Sequence, residues 1–148
     1  MAAARTGNTQ YAALPYRNGA GGLEILLITS RGTGRWIIPK GWPIAGLTSS
    51  QSAAREALEE AGVTGRVSSE SIGVYRYDKR LADDTERDCN VEVFALEVVD
   101  ELASWPEQHQ RRREWIGVEE ASARIAEIEL RELMRDWGTR LASGKPRR

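Results

Sequence analysis

The sequence predicts an α/β (α+β) sandwich in one domain, and three observations carry that expectation. Short apolar runs rich in β-branched and aromatic residues recur along the chain, bounded by Gly, Pro and charged clusters. Two stretches show helical periodicity, one in the middle and one near the C-terminus. The length of 148 residues suits a single core and leaves little room for a second.

Taken in order, residues 1–9 are expected to form a flexible N-terminus, because "MAAARTGNTQ" lacks the apolar segment of a secretory signal. The domain is placed at residues 10–142. "LEILLITS" (23–30) reads as a buried strand, followed by the turn "RGTG" and a second short strand, "RWIIP". "GWPIAG" reads as a loop, since Pro43 and two glycines oppose regular structure. A helix starts near Thr48, where "TSSQ" has the form of a capping box. It runs through Ala61, and Gly62 suits the left-handed residue that ends a helix. "VYRY" (74–77) and "NVEVFALEVV" (90–99) read as strands, separated by the charged loop "DKRLADDTERD". "REWIGVEEA" supplies a short strand running into a helix start. Ile125, Ile128, Met134, Trp137 and Leu141 then mark the apolar stripe of a C-terminal helix. Residues 143–148 read as a basic disordered tail.

The totals exclude several function classes. Hydrophobic residues make up 41% and charged residues 29%, a globular mixture rather than a disordered one. A net charge of −1 offers no global field for nucleic acid or an anionic membrane, so attraction for an anion must come from local clustering of the 21 Lys and Arg residues. "ILLI" is too short to cross a bilayer. Cys89 has no second cysteine to pair with, which agrees with a reducing, cytoplasmic setting.

"REALEEAG" (55–62) is the stretch that carries chemistry. On a helix Glu56, Glu59 and Glu60 stand at i, i+3 and i+4, so three like charges converge on one face. Ala54, Ala57, Leu58 and Ala61 are free to pack on the sheet. The acidic face either points at water or holds a positive ion, and oxygen donors of this kind suit Mg²⁺ or Mn²⁺. Arg55 can pair with Glu59 one turn on, and "PKGW" brings Lys40 and the bare backbone of Gly41 to a fixed distance upstream.

The stretch Gly41–Val63, "GWPIAGLTSSQSAAREALEEAGV", resembles the signature box of the Nudix hydrolases: a glycine, a fixed spacer, then Arg-Glu-x-x-Glu-Glu-x-Gly. Arg55, Glu56, Glu59, Glu60 and Gly62 fall on matching positions, with Gly41 at the opening glycine. Flanking segments, "ILLITSRGTGRWIIPKG" and "VEVFALEVV…RRREWIGVEEA", are similar to the diphosphoinositol polyphosphate phosphohydrolase branch and its bacterial relatives. The resemblance covers about residues 10–135. One departure stands out, since the acidic residue usual eight positions before the arginine is Leu47 here.

The resemblance implies an α/β/α sandwich with a mixed sheet between helices, and a metal-dependent pyrophosphohydrolase. Gly41, Glu56, Glu59 and Glu60 would hold Mg²⁺ (or Mn²⁺), with Glu59 or Glu60 as general base and Arg55 orienting Glu59. Arg31 and Arg112 are the expected substrate-binding cations, chosen from basic clusters at 31/35, 76/79/80 and 111–113. Lys40 either reaches a phosphate oxygen or is an exposed loop lysine. Trp36 and Trp115 are expected in the core and Trp42 near the pocket, while His109 and Cys89 receive no role. The implied partner is a phosphorylated small molecule, with nucleic acid and membrane disfavoured and the oligomeric state open. A diphosphoinositol or dinucleoside polyphosphate leads as substrate. The alternatives are a housecleaning nucleotide or nucleotide-sugar pyrophosphatase and a catalytically silent ligand-binding domain.

Overall fold

The computed structural model describes residues 8–80 and 86–142. The expected N-terminal and C-terminal tails and part of the charged loop lie outside them, apart from Asn8 and Thr9.

The sheet is organised by β1 (Thr9–Gly19), which no sequence signal singled out. It runs parallel to β7 (Glu86–Glu101), in register from Thr9↔Asn90 to Tyr16↔Glu97. On its other side it forms an antiparallel hairpin with β2 (Gly22–Thr29). β2 in turn pairs β3 (Trp36–Ile37) and β8 (Arg113–Gly117), while β7 pairs β5 (Val63–Val67) and β6 (Gly73–Arg80). The two-residue β4 (Lys40–Gly41) joins β1 through Ala12↔Lys40 and Tyr11↔Gly41. One parallel pair among antiparallel ones makes the sheet mixed, as expected.

Side-chain alternation divides the core into two layers. Ala12, Leu14, Ile25, Leu27, Val91 and Val93 face one side, together with Trp137 and Met134. Ala13, Leu26, Ile28, Phe94 and Leu96 face the other, against Ala53, Ala57 and Ala61. Burial on both faces explains why these strands read as continuous apolar runs. Helix α1 (Ser49–Glu56) covers the second face, and α2 (Val118–Arg124) and α3 (Ile128–Ala142) cover the first. Among the described residues three helices, not two, complete the α+β sandwich.

Several local expectations shift by a residue or a phase. The apolar stripe of α3 is Leu130, Met134 and Trp137, whereas Ile128 is 65% exposed at the helix start. Ile125 is buried, but it lies in the break between α2 and α3 rather than on the stripe. On α1 the sheet-facing alanine is Ala53, one position before the expected Ala54. Trp36 and Trp115 are only half-buried, each packed against the edge of one core layer.

The corrected phase of α3 has a measurable outcome. Leu130→Ala is expected to destabilise the fold by about 2–5 kcal/mol, while Ile128→Ala stays within about 0.5 kcal/mol. Urea unfolding of both variants checks this, and equal losses would contradict the assignment.

Candidate functional site

The glutamate helix is positioned at both ends. At its start the Thr48 hydroxyl accepts from the Gln51 N–H while the Gln51 side chain accepts from the Thr48 N–H, at 3.2 and 2.9 Å. The capping box read from "TSSQ" is therefore complete. The preceding loop is tied to the helix by the Ile44 N–H, which donates to the Ser52 hydroxyl at 3.2 Å. Beyond Glu56 the helix widens into one π-turn, Ala57–Ala61, closed by Gly62 at φ 69° with its N–H directed to Ala57 and Leu58. Such π-turns recur at functional sites because they rotate side chains relative to an α-helical frame.

Glu56 and Glu60 hydrogen-bond to each other through their side chains. Glu60 is 7% exposed, and its Oε1 also lies 3.4 Å from the Lys40 N–H and 3.8 Å from the Arg111 guanidinium. Burial, then the hydrogen bond from Glu60 to Glu56, pushes the Glu60 pKa up from 4.5 to about 8; Arg111 opposes that rise. Burial also raises Glu56. Two acids that share one proton form a unit whose titration belongs to the pair.

Gly41 meets this pair from the loop side. A Cβ at position 41 would stand 2.5 Å from the Glu56 carboxyl carbon, so any other residue would displace that carboxylate. The backbone of β4 and the carboxylates of the helix thus share one small space, as the sequence reading expected.

A second segment, residues 102–113, closes the back of the site. Glu107 raises both Glu56 and Glu60 by its charge, and its N–H donates to the Glu59 carbonyl at 3.1 Å. Arg111, with a side chain only 7% exposed, pairs with Glu107 at 2.7 Å and donates to the Thr29 carbonyl at 3.0 Å. Trp105 donates its indole N–H to the Glu60 carbonyl at 3.2 Å, and its ring covers Gly62. Arg113 stacks 3.9 Å from the Trp105 ring and donates to the carbonyls of Ala61 and Leu102 at 2.9 Å each. The C-terminal carbonyls of the helix, which have no partner inside it, are met by these two side chains.

The structure therefore brings Gly41, Glu56 and Glu60 together, with Glu59 half-buried and near enough to raise Glu56 by its charge. It adds Glu107 and Arg111, which the sequence reading missed. Arg55 does not pair with Glu59; it is exposed beside Leu47, Gln51 and Leu58 on the outer flank of the helix. Arg31 and Arg112 meet at the end of β2: Arg112 pairs with Thr29 through backbone and hydroxyl, and Arg31 donates to Gln110 at 3.2 Å. Lys40 lines a cavity together with Arg35, Tyr75 and Glu127. Arg76 stands apart, facing Asp88 at 3.8 Å, and the side chains of Lys79 and Arg80 lie outside what is described.

Among the described residues, no three His, Cys, Asp or Glu side chains stand close enough to hold a metal ion as they are placed. The donor chemistry nevertheless fits a hard dication. The Glu56 and Glu60 carboxyls stand together against the bare backbone of Gly41, and the charges of Glu59 and Glu107 bear on the pair, an all-oxygen donor set that would suit such an ion.

The family described as NUDIX domain matches residues 9–137 of this chain. The chain belongs to that family. "Nudix hydrolase 13, mitochondrial" of Arabidopsis thaliana is 39% identical over 105 residues, covering 67% of this chain and 52% of its own length. "Diphosphoinositol polyphosphate phosphohydrolase 3-alpha" of Mus musculus is 34% identical over 101 residues, covering 66% and 57%. The solved structure of a C. elegans Ap4A hydrolase matches with a TM-score of 0.65 at 23% identity, over 91% of this chain and 98% of that one. This last likeness concerns the fold. The chain spans about half the length of the curated relatives it matches.

The carboxyl pair makes stability depend on pH. The folded state keeps the Glu60 proton up to about 8, whereas the unfolded chain releases it near 4.5. Stability from this group is thus complete below 4.5 and is lost as pH rises to about 8, in buffer freed of divalent cations. Glu60→Gln is expected to remove that part of the slope and to raise the melting temperature of the cation-free protein at alkaline pH. Thermal melts of both proteins across this range check it; parallel pH profiles would contradict it.

Proposed function

We propose that the protein is a divalent-cation-dependent pyrophosphohydrolase that cleaves a phosphoanhydride bond in a highly phosphorylated small molecule. The observation that carries this reading is the buried Glu56–Glu60 pair set against Gly41, with the Arg111 guanidinium 3.8 Å from Glu60; Arg31, Arg35 and Arg112 are further exposed cations on the chain. Anionic phosphate chains need such cations for binding, and carboxylates need a reason to be buried together.

In this reading Glu56, Glu60 and Glu59, with the Gly41 backbone, hold Mg²⁺ or Mn²⁺. When bound, the ion neutralises diphosphate oxygens and acidifies water. Glu60 is already engaged by Glu56, Arg111 and the Lys40 N–H, so Glu59 takes the role of proton acceptor, with Glu107 bordering it. Arg31 and Arg112 hold the phosphate chain, and Trp105 and Arg113 fix the helix end so that the carboxylates keep their spacing. Leu47 removes one acid from the flank of Arg55, away from the pair, and leaves this machinery in place.

The substrates named for the mouse and C. elegans proteins, diphosphoinositol polyphosphates and Ap4A, are the first two to try. A reducing compartment such as the cytoplasm suits the buried free thiol of Cys89, although the Arabidopsis relatives at the head of the comparison carry mitochondrial names. No helix among the described residues is long and apolar enough to cross a membrane.

A substrate panel with Mg²⁺ in isotope-labelled water tests the reading, because the labelled product identifies the phosphorus attacked. Glu59→Gln and Glu60→Gln are each expected to lower turnover by about three orders of magnitude with the fold intact. Near-normal rates in both would place the chemistry elsewhere. Chelation should abolish activity and added Mg²⁺ restore it. Ligand binding without turnover at any Mg²⁺ or Mn²⁺ concentration would instead mark a silent sensing domain.

A further inference from the structure

Next to the carboxylate pair lies a small cavity of about 70 Å³, enclosed by Ser30, Arg35, Lys40, Tyr75, Glu127 and Leu130. Lys40 connects the two, since its N–H faces Glu60 and the residue also lines the cavity. The rim around this end of the sheet is basic, with Arg31, Arg35 and Arg112 all exposed. The interior contains an acid. Glu127 sits in the break between α2 and α3 with its side chain 18% exposed, and its carboxylate stands 3.7 Å from the Arg35 guanidinium.

A carboxylate inside a groove built for phosphates is a selective element. It repels a phosphate placed beside it and accepts hydrogen bonds from hydroxyl groups. At 3.7 Å the contact with half-exposed Arg35 is a charge interaction rather than a hydrogen bond, so the carboxylate keeps acceptor capacity on its cavity side. Ser30 adds a hydroxyl and Lys40 a cation, and the volume admits the hydroxyl edge of a sugar. We infer that Glu127 is a specificity-determining residue of this site, accepting hydrogen bonds from the hydroxyls of an uncharged sugar while the phosphate chain crosses the arginine rim, and excluding substrates that carry phosphate at that position. This inference rests on the phosphoanhydride reading above and narrows it towards nucleoside-bearing polyphosphates.

Glu127→Gln and Glu127→Ala test it with two substrates, Ap4A and a diphosphoinositol polyphosphate. For Ap4A, KM should rise severalfold in Glu127→Gln and about tenfold in Glu127→Ala, with kcat within about twofold of wild type. For the diphosphoinositol polyphosphate, KM should fall by about tenfold in Glu127→Gln, since the repulsive charge is gone. Calorimetry with AMP and inositol hexakisphosphate, neither of which contains a phosphoanhydride, measures the same selection without turnover. Shifts of opposite sign for the two ligands support the role of Glu127. Shifts of equal sign and size, no shift, or no binding of either ligand overturn it. Opposite shifts in calorimetry without hydrolysis of either substrate would sink the hydrolase reading and leave the selectivity of Glu127 standing.

Discussion

The carbonyls of Glu60 and Ala61 end the glutamate helix with no partner inside it, and two side chains of one loop answer them. Trp105 and Arg113 lie stacked against each other and against Gly62, so the helix end, the left-handed glycine and the loop form one rigid corner. Glu107 and Arg111 belong to the same loop, and they reach the carboxylate pair only because that corner holds the loop in place. Positioning of acids and their counter-cation is therefore a single structural event, not four separate contacts. A helix end loosened here would move Glu60 and its neighbours together.

Burial of like charges needs such rigidity. Glu56 and Glu60 stay close because one proton and one guanidinium offset their repulsion, and Gly41 lets a strand press against them. A side chain at 41 would displace the Glu56 carboxylate, and Gly62 ends the helix in the left-handed conformation that lets the chain turn towards β5. The site is thus held by backbone choices at Gly41 and Gly62 as much as by its carboxylates.

Much of this was legible in the sequence. Strong local signals survived intact: the capping box at Thr48, the left-handed Gly62, and the strands within 22–29 and 86–101. Glu56 and Glu60 meet at i, i+4 as helical spacing requires, because spacing on a helix is a local property. What was missed depends on tertiary structure. β1 carries alanines and Pro15 in "QYAALPYRNG", a poor strand by composition, yet it holds the centre because small residues fit between two helix-covered faces. The expected Arg55–Glu59 pair is not formed, because Arg55 turns outward beside Leu47 and Leu58. Arg111 and Arg113 could have been found from strand alternation, which turns them one way and Arg112 the other. Their carboxylate and carbonyl partners lie up to about eighty residues away and leave no trace in local patterning.

The parallel register of β1 with β7 also constrains how the chain comes together in time. Thr9 finds Asn90 only after the intervening residues have been made, so a nascent polypeptide carries its future central strand without a neighbour on that edge for most of synthesis. The antiparallel hairpin with β2 protects one edge early, and the opposite edge waits. Assembly of the two layers is accordingly a late, cooperative step, with a high sequence separation that slows the search. Truncation before the end of β7 would leave that open edge as a template for association between chains rather than a partly working domain.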